Sequence, residues 1–92
     1  MKKITLFYLE TCPYCIHAKN ALVELRSENP AYKNVEIDWI EESRQPELAD
    51  QYDYYYVPTI YDGEKKLYEA DPAQDYAAIK KSIHTALDAV LG

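Results

Sequence analysis

Few of the residues that mark specialised protein classes are present in this sequence. Its 92 residues include only two cysteines, Cys12 and Cys15, and only two glycines. Two cysteines three positions apart cannot build the framework of several disulfide bridges that stabilises small secreted domains. In a chain without such a framework, a close pair of thiols is more often catalytic or metal-binding than structural.

Long hydrophobic runs are also missing. No stretch approaches the roughly 18–20 apolar residues that a membrane-spanning helix needs. After Met1, Lys2 and Lys3, only four residues precede Tyr8, and this run is too short for the apolar part of a secretory signal. We therefore expect a cytoplasmic protein that does not associate with membranes.

Positive charge is scarce and scattered. The formal net charge is −6 at neutral pH, and most lysines stand in three separate doublets, Lys2-Lys3, Lys65-Lys66 and Lys80-Lys81. Because no basic stripe results, the charge pattern argues against nucleic acid as a partner. The acidity also weakly disfavours acidic partners.

What is present fits one α/β domain over residues 1–92, since 48% of the residues are hydrophobic and one modest core can form. Apolar spacing and breaker residues predict the elements. In chain order they are a strand over 4–9, a helix from 13 that ends before 29, a strand over 35–40, a short helix over 46–51, strands over 57–61 and 66–69, and a helix over 75–91.

This β-α-β-α-β-β-α order predicts the sheet topology. Two strands joined through a helix are parallel with a right-handed crossover, and the turn at Asp62-Gly63 makes the last two strands an antiparallel hairpin. A four-stranded mixed sheet with helices on both faces satisfies these constraints.

The segment Cys12-Pro13-Tyr14-Cys15 lies where the first strand gives way to the first helix. Proline prefers the first helical position, which makes Cys12 the N-cap residue. We expect its sulfur to face the unpaired N–H groups of Tyr14 or Cys15 and the positive end of the helix dipole, which favours the thiolate. Cys15 lies one turn further in and should be more buried. The pattern therefore predicts that Cys12 is the nucleophile of a thiol–disulfide exchange and that Cys15 resolves the mixed disulfide.

A zinc site is the other chemistry that a close cysteine pair suggests. A structural zinc site needs four ligands, and only His17 and His84 could join the two cysteines. His17 lies about 200° round the helix from Cys15, so it cannot easily share one ion with both sulfurs. We expect no bound metal and expect both histidines to be solvated.

The strand, the motif Thr11-Cys12-Pro13-Tyr14-Cys15, the following helix and Val57-Pro58-Thr59 together resemble the glutaredoxins and their relatives of the thioredoxin fold. The similarity extends over nearly the whole chain. Thioredoxins proper usually carry Gly-Pro between the cysteines, so the Pro-Tyr pair favours the glutaredoxin type.

The resemblance implies a substrate-binding set around the redox pair. Pro58 is expected to follow a cis peptide bond, and the backbone of Val57 is expected to pair with a bound thiol peptide as in a strand. Tyr14, between the cysteines on an exposed helix start, and Pro13 beside it are expected to contact the substrate as well.

Five positions depart from the family patterns. Leu9 stands where glutathione-using members carry a basic residue, Tyr56 stands where they carry threonine, and Tyr68-Glu69 stands where they carry Gly-Gly. Because glycine is needed where backbone must approach a ligand closely, glutathione binding in the usual mode is not expected. Leu6 replaces the buried aspartate of thioredoxins, so the usual proton acceptor for Cys15 is absent.

Two further groups of residues lie near these motifs in the sequence. The tyrosines of segment 52–56 could line a substrate groove or fill the core, and both interpretations stay open. Glu41, Glu42 and Asp50 are expected to be solvated acidic surface.

The favoured function is an enzyme that reduces disulfides of proteins or small molecules by dithiol exchange, without a bound cofactor. Its electrons would come from glutathione or from a thioredoxin reductase, and the sequence does not choose between them. The resemblance also allows an iron–sulfur cluster carrier or a dedicated electron donor to one partner enzyme. We expect a monomer, because no long apolar edge or coiled-coil pattern is evident.

Overall fold

The chain follows the predicted order of elements, with one addition. The computed structural model describes residues 2–92. In chain order the elements are β1 (Lys2–Tyr8), α1 (Pro13–Glu28), a 3₁₀ helix (Pro30–Asn34), β2 (Val35–Glu41), α2 (Pro46–Ala49), β3 (Thr59–Asp62), β4 (Lys65–Glu69) and α3 (Tyr76–Leu91).

Most boundaries lie within two residues of the sequence-based prediction, and three differences bear on the fold. The 3₁₀ helix was not predicted; the side chain of Asn29 caps it by accepting a hydrogen bond from the Ala31 N–H. The second helix ends at Ala49 rather than at residue 51. The third strand begins at Thr59, because Pro58 has no N–H to donate to a neighbouring strand.

The sheet has the predicted mixed topology, with strand order β2-β1-β3-β4. β1 runs parallel to β2 along its whole length, from Lys2 opposite Val35 to Tyr8 opposite Glu41. β3 runs antiparallel to both β1 and β4. The parallel pair brings the carboxyl ends of β1 and β2 together at one end of the sheet. Cys12 follows β1 at that end.

The two faces of the sheet are covered unequally. α1 and α3 pack on one face, over a cluster that includes Leu6, Leu22, Ile60, Ile83 and Leu87, each at most 2% exposed. α2 is only one turn long and covers little of the other face. Helices do lie on both faces as predicted, but a second set of side chains has to complete the burial.

That second set is aromatic and centres on Phe7, which is fully buried. Its ring lies 4.7 Å from the Tyr52 ring, 5.1 Å from the Tyr54 ring and 6.2 Å from the Tyr61 ring, measured between centroids. Tilted and stacked ring pairs at these separations stabilise a core beyond their buried area. The tyrosine-rich segment therefore does divide: Tyr52 and Tyr54 pack inward.

The two long helices are tied to each other at their surfaces. The Lys80 ammonium of α3 lies 2.9 Å from the Glu28 carboxylate and 3.9 Å from the Glu24 carboxylate of α1. α3 begins at the N-cap Asp75, whose side chain accepts a hydrogen bond from the Ala78 N–H. Within residues 2–92, no helix has the length and apolar character needed to cross a membrane.

Candidate active site

Cys12 occupies the N-cap of α1, as its proline neighbour predicts. Its backbone is extended, with φ −84° and ψ 120°, and Pro13 is the first helical residue. A turn after β1 places Cys12 at this position. In that turn the Cys12 N–H donates a hydrogen bond to the Leu9 carbonyl at 3.1 Å. The Cys12 carbonyl then accepts from Ile16, the first full helical bond. The side chain is half-buried, at the end of the sheet.

The predicted contact between the Cys12 sulfur and the first N–H groups of the helix is not formed. The cap has no side-chain hydrogen bond, and the thiol instead donates to the Val57 carbonyl oxygen across 3.7 Å. A protonated thiol carries a hydrogen to donate, whereas the first-turn N–H groups are donors themselves. In the reduced protein the carbonyl is therefore the better partner.

Cys15 is buried, with 5% of its surface exposed. Its sulfur accepts a hydrogen bond from the Leu9 N–H at 3.5 Å. Burial raises the pKa of the Cys15 thiol to about 12, helped by the adjacent Cys12 sulfur and by the Glu42 charge, while the Leu9 N–H opposes the shift. Cys15 is thus a thiol at neutral pH.

The loop before β3 presents the predicted cis peptide bond, between Val57 and Pro58. Pro58 is buried, and its carbonyl accepts a hydrogen bond from the Ala70 N–H at 2.9 Å. Among residues 2–92 the Val57 N–H donates to no acceptor, and the Val57 carbonyl accepts only the Cys12 thiol. The fold therefore brings together Cys12, Cys15, Val57 and Pro58.

Pro13 and Tyr14 lie at the same helix start in different settings. Pro13 is exposed. Tyr14 is half-buried against the larger core cluster, and its hydroxyl donates to the Pro72 carbonyl at 2.8 Å. The Tyr14 ring is consequently fixed between the motif and the loop before α3, and its contact with a substrate stays a prediction.

Glu41 is not the solvated residue that the sequence suggested. It is 7% exposed and accepts hydrogen bonds from the Glu10 N–H at 3.1 Å and from the Ser43 N–H and hydroxyl at 2.6 Å each. The Ser43 hydroxyl, followed by the Glu10 N–H, holds the pKa of Glu41 below its usual range despite burial. Glu41 therefore ties the loop after β1, which carries Cys12, to the loop after β2.

Glu42 is half-buried rather than solvated, whereas Asp50 is exposed as expected. The Tyr54 hydroxyl donates to the Glu42 carboxylate at 2.7 Å. Burial raises the pKa of Tyr54, and the Glu42 carboxylate raises it further. No pattern in the sequence predicted this hydrogen bond, because Tyr54 and Glu42 come from separate segments of the chain.

Tyr68 and Glu69 occupy the positions at which the family carries its glycine pair, and both side chains form hydrogen bonds within the protein. Tyr68 is 7% exposed, and its hydroxyl donates to Gln74 at 2.8 Å. Burial, with the Cys15 and Asp71 charges, raises the pKa of Tyr68 to about 12. Glu69 accepts hydrogen bonds from the backbone of the loop that precedes Val57.

The two histidines lie apart from the cysteine pair. His17 is partly buried rather than solvated, because its ring packs edge-on against Tyr76 with centroids 5.6 Å apart. His84 is exposed and lies 3.3 Å from Asp88. In the described part of the chain, no three His, Cys, Asp or Glu side chains are grouped closely enough to hold a metal ion.

Comparisons with known proteins support the fold. The family model described as "Glutathione S-transferase, N-terminal domain" matches residues 6–81. A thioredoxin from Methanocaldococcus jannaschii is 38% identical over 58 residues, which cover 63% of this chain and 66% of that thioredoxin. The match therefore spans just under two thirds of that relative's length.

Solved structures with the same fold include thioredoxins. A mutant thioredoxin from Halobacterium salinarum superposes with a TM-score of 0.58 at 21% identity, covering 92% of this chain and 74% of that one. Thioredoxin 1 from Thermosipho africanus gives 0.57 at 20% identity, with 98% and 99% covered. These likenesses confirm the thioredoxin-like fold alone. Because the family match over residues 6–81 covers well over half of the chain, this protein belongs to the family of glutathione S-transferase N-terminal domains.

Proposed function

We propose that this protein is a thiol–disulfide oxidoreductase that reduces disulfides of proteins or small molecules. The observation that carries the proposal is the arrangement of a half-buried Cys12 at the N-cap of α1, one turn before a buried Cys15. The similarity to a thioredoxin supports the same activity. Cys12 is the proposed nucleophile and Cys15 the resolving thiol.

The reaction proceeds in two exchanges. The ionised Cys12 sulfur attacks one sulfur of the substrate disulfide, forming a mixed disulfide while the other substrate sulfur leaves as a thiolate and takes up a proton. The Cys15 sulfur then attacks the Cys12 sulfur, the bond between Cys12 and the substrate breaks, and the second substrate sulfur leaves and takes up the proton that Cys15 has lost. Two electrons pass to the substrate, and the Cys12–Cys15 disulfide is left for an external thiol donor to reduce.

The surroundings of Cys15 favour this order of events. Burial raises its pKa most, but the hydrogen bond with Cys12 and the Cys12 charge raise it as well. Formation of the mixed disulfide removes both Cys12 contributions, because that sulfur is then neither charged nor protonated. Cys15 is thus held as a thiol until the first exchange and becomes easier to ionise after it.

The open backbone of Val57 is the proposed docking element for the substrate. Its N–H lacks an acceptor among residues 2–92, and its carbonyl accepts only the Cys12 thiol. An extended peptide that displaces this thiol could pair with both backbone groups in strand-like fashion. Pro13, Tyr14 and Pro58 border the same space in the proposed complex.

The test is turnover of a small mixed disulfide with two alternative electron supplies. One supply is glutathione with its reductase, and the other is NADPH with thioredoxin reductase. The expected result is turnover by the wild type and none by Cys12→Ser. Turnover with glutathione would assign the protein to the glutaredoxin type, and turnover only with thioredoxin reductase would assign it to the thioredoxin type. Equal rates for wild type and Cys12→Ser would overturn the proposal.

Trapping with Cys15→Ser separates a general reductase from a dedicated electron donor. Without the resolving thiol, the mixed disulfide on Cys12 persists. Many trapped adducts would indicate a general reductase, and a single one would indicate one partner enzyme. Cys12→Ser with Cys15 intact is the matched control and should trap nothing, because Cys15 is buried and protonated.

A further inference from the structure

Glu69 lies at the end of β4 with its carboxylate surrounded by three donors. One oxygen accepts hydrogen bonds from the Tyr55 N–H at 2.7 Å and from the Tyr56 N–H at 2.9 Å. The other oxygen lies 2.7 Å from the Lys66 ammonium. The Glu69 side chain is 19% exposed and the Lys66 side chain 35% exposed, so the group is partly shielded from water.

These three donors form an anion-binding cradle, defined as the Tyr55 N–H, the Tyr56 N–H and the Lys66 ammonium. Successive backbone N–H groups with a nearby ammonium are a recurrent way to bind a carboxylate. Burial by itself would raise the pKa of Glu69, but the Lys66 and backbone hydrogen bonds outweigh it and lower the pKa. Glu69 is therefore ionised at neutral pH and satisfies the cradle.

The cradle lies next to the candidate reaction site. Tyr56 directly precedes Val57, whose carbonyl accepts the Cys12 thiol. The Tyr56 carbonyl is itself held by the Thr59 hydroxyl at 2.5 Å, so the loop is fixed on both sides. A ligand that pairs with the Val57 backbone would extend past the cradle.

We propose that Glu69 is an internal anion that fills this cradle and makes the site prefer disulfides without a carboxylate close to the reacting sulfurs. The inference rests on the proposed oxidoreductase function and names its substrate class. With Glu69 in place, a substrate carboxylate finds both backbone N–H groups of the cradle already paired, finds the Lys66 charge already neutralised, and meets a like charge. Without Glu69, two N–H groups and the Lys66 ammonium are unpaired beside Val57 and can bind such a carboxylate.

The first test compares two small substrates, the neutral disulfide of 2-mercaptoethanol and the anionic disulfide of 3-mercaptopropionate. The ratio of kcat/KM for the anionic over the neutral substrate should rise at least about tenfold in Glu69→Ala, because charge-assisted hydrogen bonds to the carboxylate become available. The matched control is Glu64→Ala, which removes the same charge from an exposed residue of the same hairpin. An unchanged ratio in Glu69→Ala, or an equal rise in Glu64→Ala, would overturn the proposal.

A second test does not depend on turnover. In Glu69→Ala, added sodium formate should occupy the vacated cradle, shift the Tyr55 and Tyr56 amide resonances and slow their hydrogen exchange. Sodium chloride at equal ionic strength should not do so. Absence of a formate response in folded Glu69→Ala would overturn the cradle itself. A formate response in a protein without disulfide turnover would instead overturn the proposed function, and the specificity role with it, leaving the cradle as an anion site.

Discussion

The Cys12 thiol donates a hydrogen bond to the Val57 carbonyl oxygen across 3.7 Å, although the two residues are 45 positions apart in the chain. The contact joins the start of α1 to the loop before β3. The direction of the Cys12 side chain is therefore set by that loop as well as by its own helix. Residues that hold the loop, Glu69 and Thr59 among them, therefore help to position the Cys12 side chain.

The two cysteines should differ strongly in their reaction with iodoacetamide. At pH 8 we expect alkylation of Cys15 to be at least about a hundredfold slower than that of an unperturbed cysteine, because only the thiolate reacts and the Cys15 pKa is raised to about 12. Burial slows it further. Mass spectrometry of the labelled peptides should show Cys12 modified first. Equal labelling of both cysteines in the folded protein would contradict this arrangement.

Stability should fall at alkaline pH. Burial raises the pKa of Cys15, Tyr54 and Tyr68 in the folded protein, so folding favours their protonated forms. This contribution is complete below the ordinary pKa values of these groups and is lost progressively as the pH rises from about 9. Urea unfolding between pH 7 and 11 measures the loss. Cys15→Ala should lose less stability over this range than the wild type, and an identical pH profile would contradict the role of Cys15.

Glu41→Gln should lower the Tm of the protein near neutral pH and should make Tm depend less on pH in the acid range. The pKa of Glu41 is lowered in the folded state, so its contribution is present above the ordinary carboxyl range and is lost as the pH falls through it. We expect Tm at pH 7 to drop by several degrees and to depend less on pH between 5 and 3. Glu36→Gln, on the exposed side of β2, is the control and should change neither quantity. A similar Tm for both variants would argue against the buried network.

Phe7→Ala should be among the most destabilising substitutions on the α2 face of the sheet. It removes a fully buried ring that contacts Tyr52, Tyr54 and Tyr61, at an expected cost of about 3–5 kcal/mol of unfolding free energy. Val23→Ala, on the exposed side of α1, should stay within about 0.5 kcal/mol of the wild type. Urea denaturation gives both values. A loss below about 1 kcal/mol for Phe7→Ala would show that this face is not a packed core.

The N-cap of α3 offers a prediction with a conservative control at the same position. Asp75→Ala removes the acceptor of the Ala78 N–H and should cost about 1 kcal/mol of unfolding free energy. Asp75→Asn keeps an acceptor of the same reach and should cost much less. Thermal unfolding of both variants distinguishes a hydrogen-bonded cap from a purely electrostatic one, for which the two variants would lose stability equally.

The order of elements and the location of the thiol pair could be predicted because they depend on local patterns. Apolar spacing located β1, β2 and α3, and Pro13 located the start of α1 with Cys12 as its cap. The cis bond before Pro58 followed from the family resemblance rather than from spacing. These features depend on residues within a few positions of one another, or on a pattern shared by relatives.

The acidic partners could not be predicted, because their environment comes from distant parts of the chain. Glu41 and Glu42 are adjacent acids that look solvated in sequence, yet one is bound by the Glu10 N–H and the other by the Tyr54 hydroxyl. Glu69 looked like a departure from a glycine pair, whereas it is the acceptor for the loop before Val57. Only the folded arrangement of strands and loops brings these donors to their carboxylates.

The outer position of β4 in the sheet affects whether a strand of another copy of the protein can pair with it. β4 is an edge strand, and its sequence places Lys65, Lys66 and Glu69 along an otherwise unpaired row of backbone groups. Charged side chains on an edge strand discourage another strand from pairing there, because pairing would strip water from the charges. The opposite edge, β2, carries Glu36 and Asp38. Charged side chains at both margins of the sheet therefore disfavour the addition of a strand from another copy of the protein.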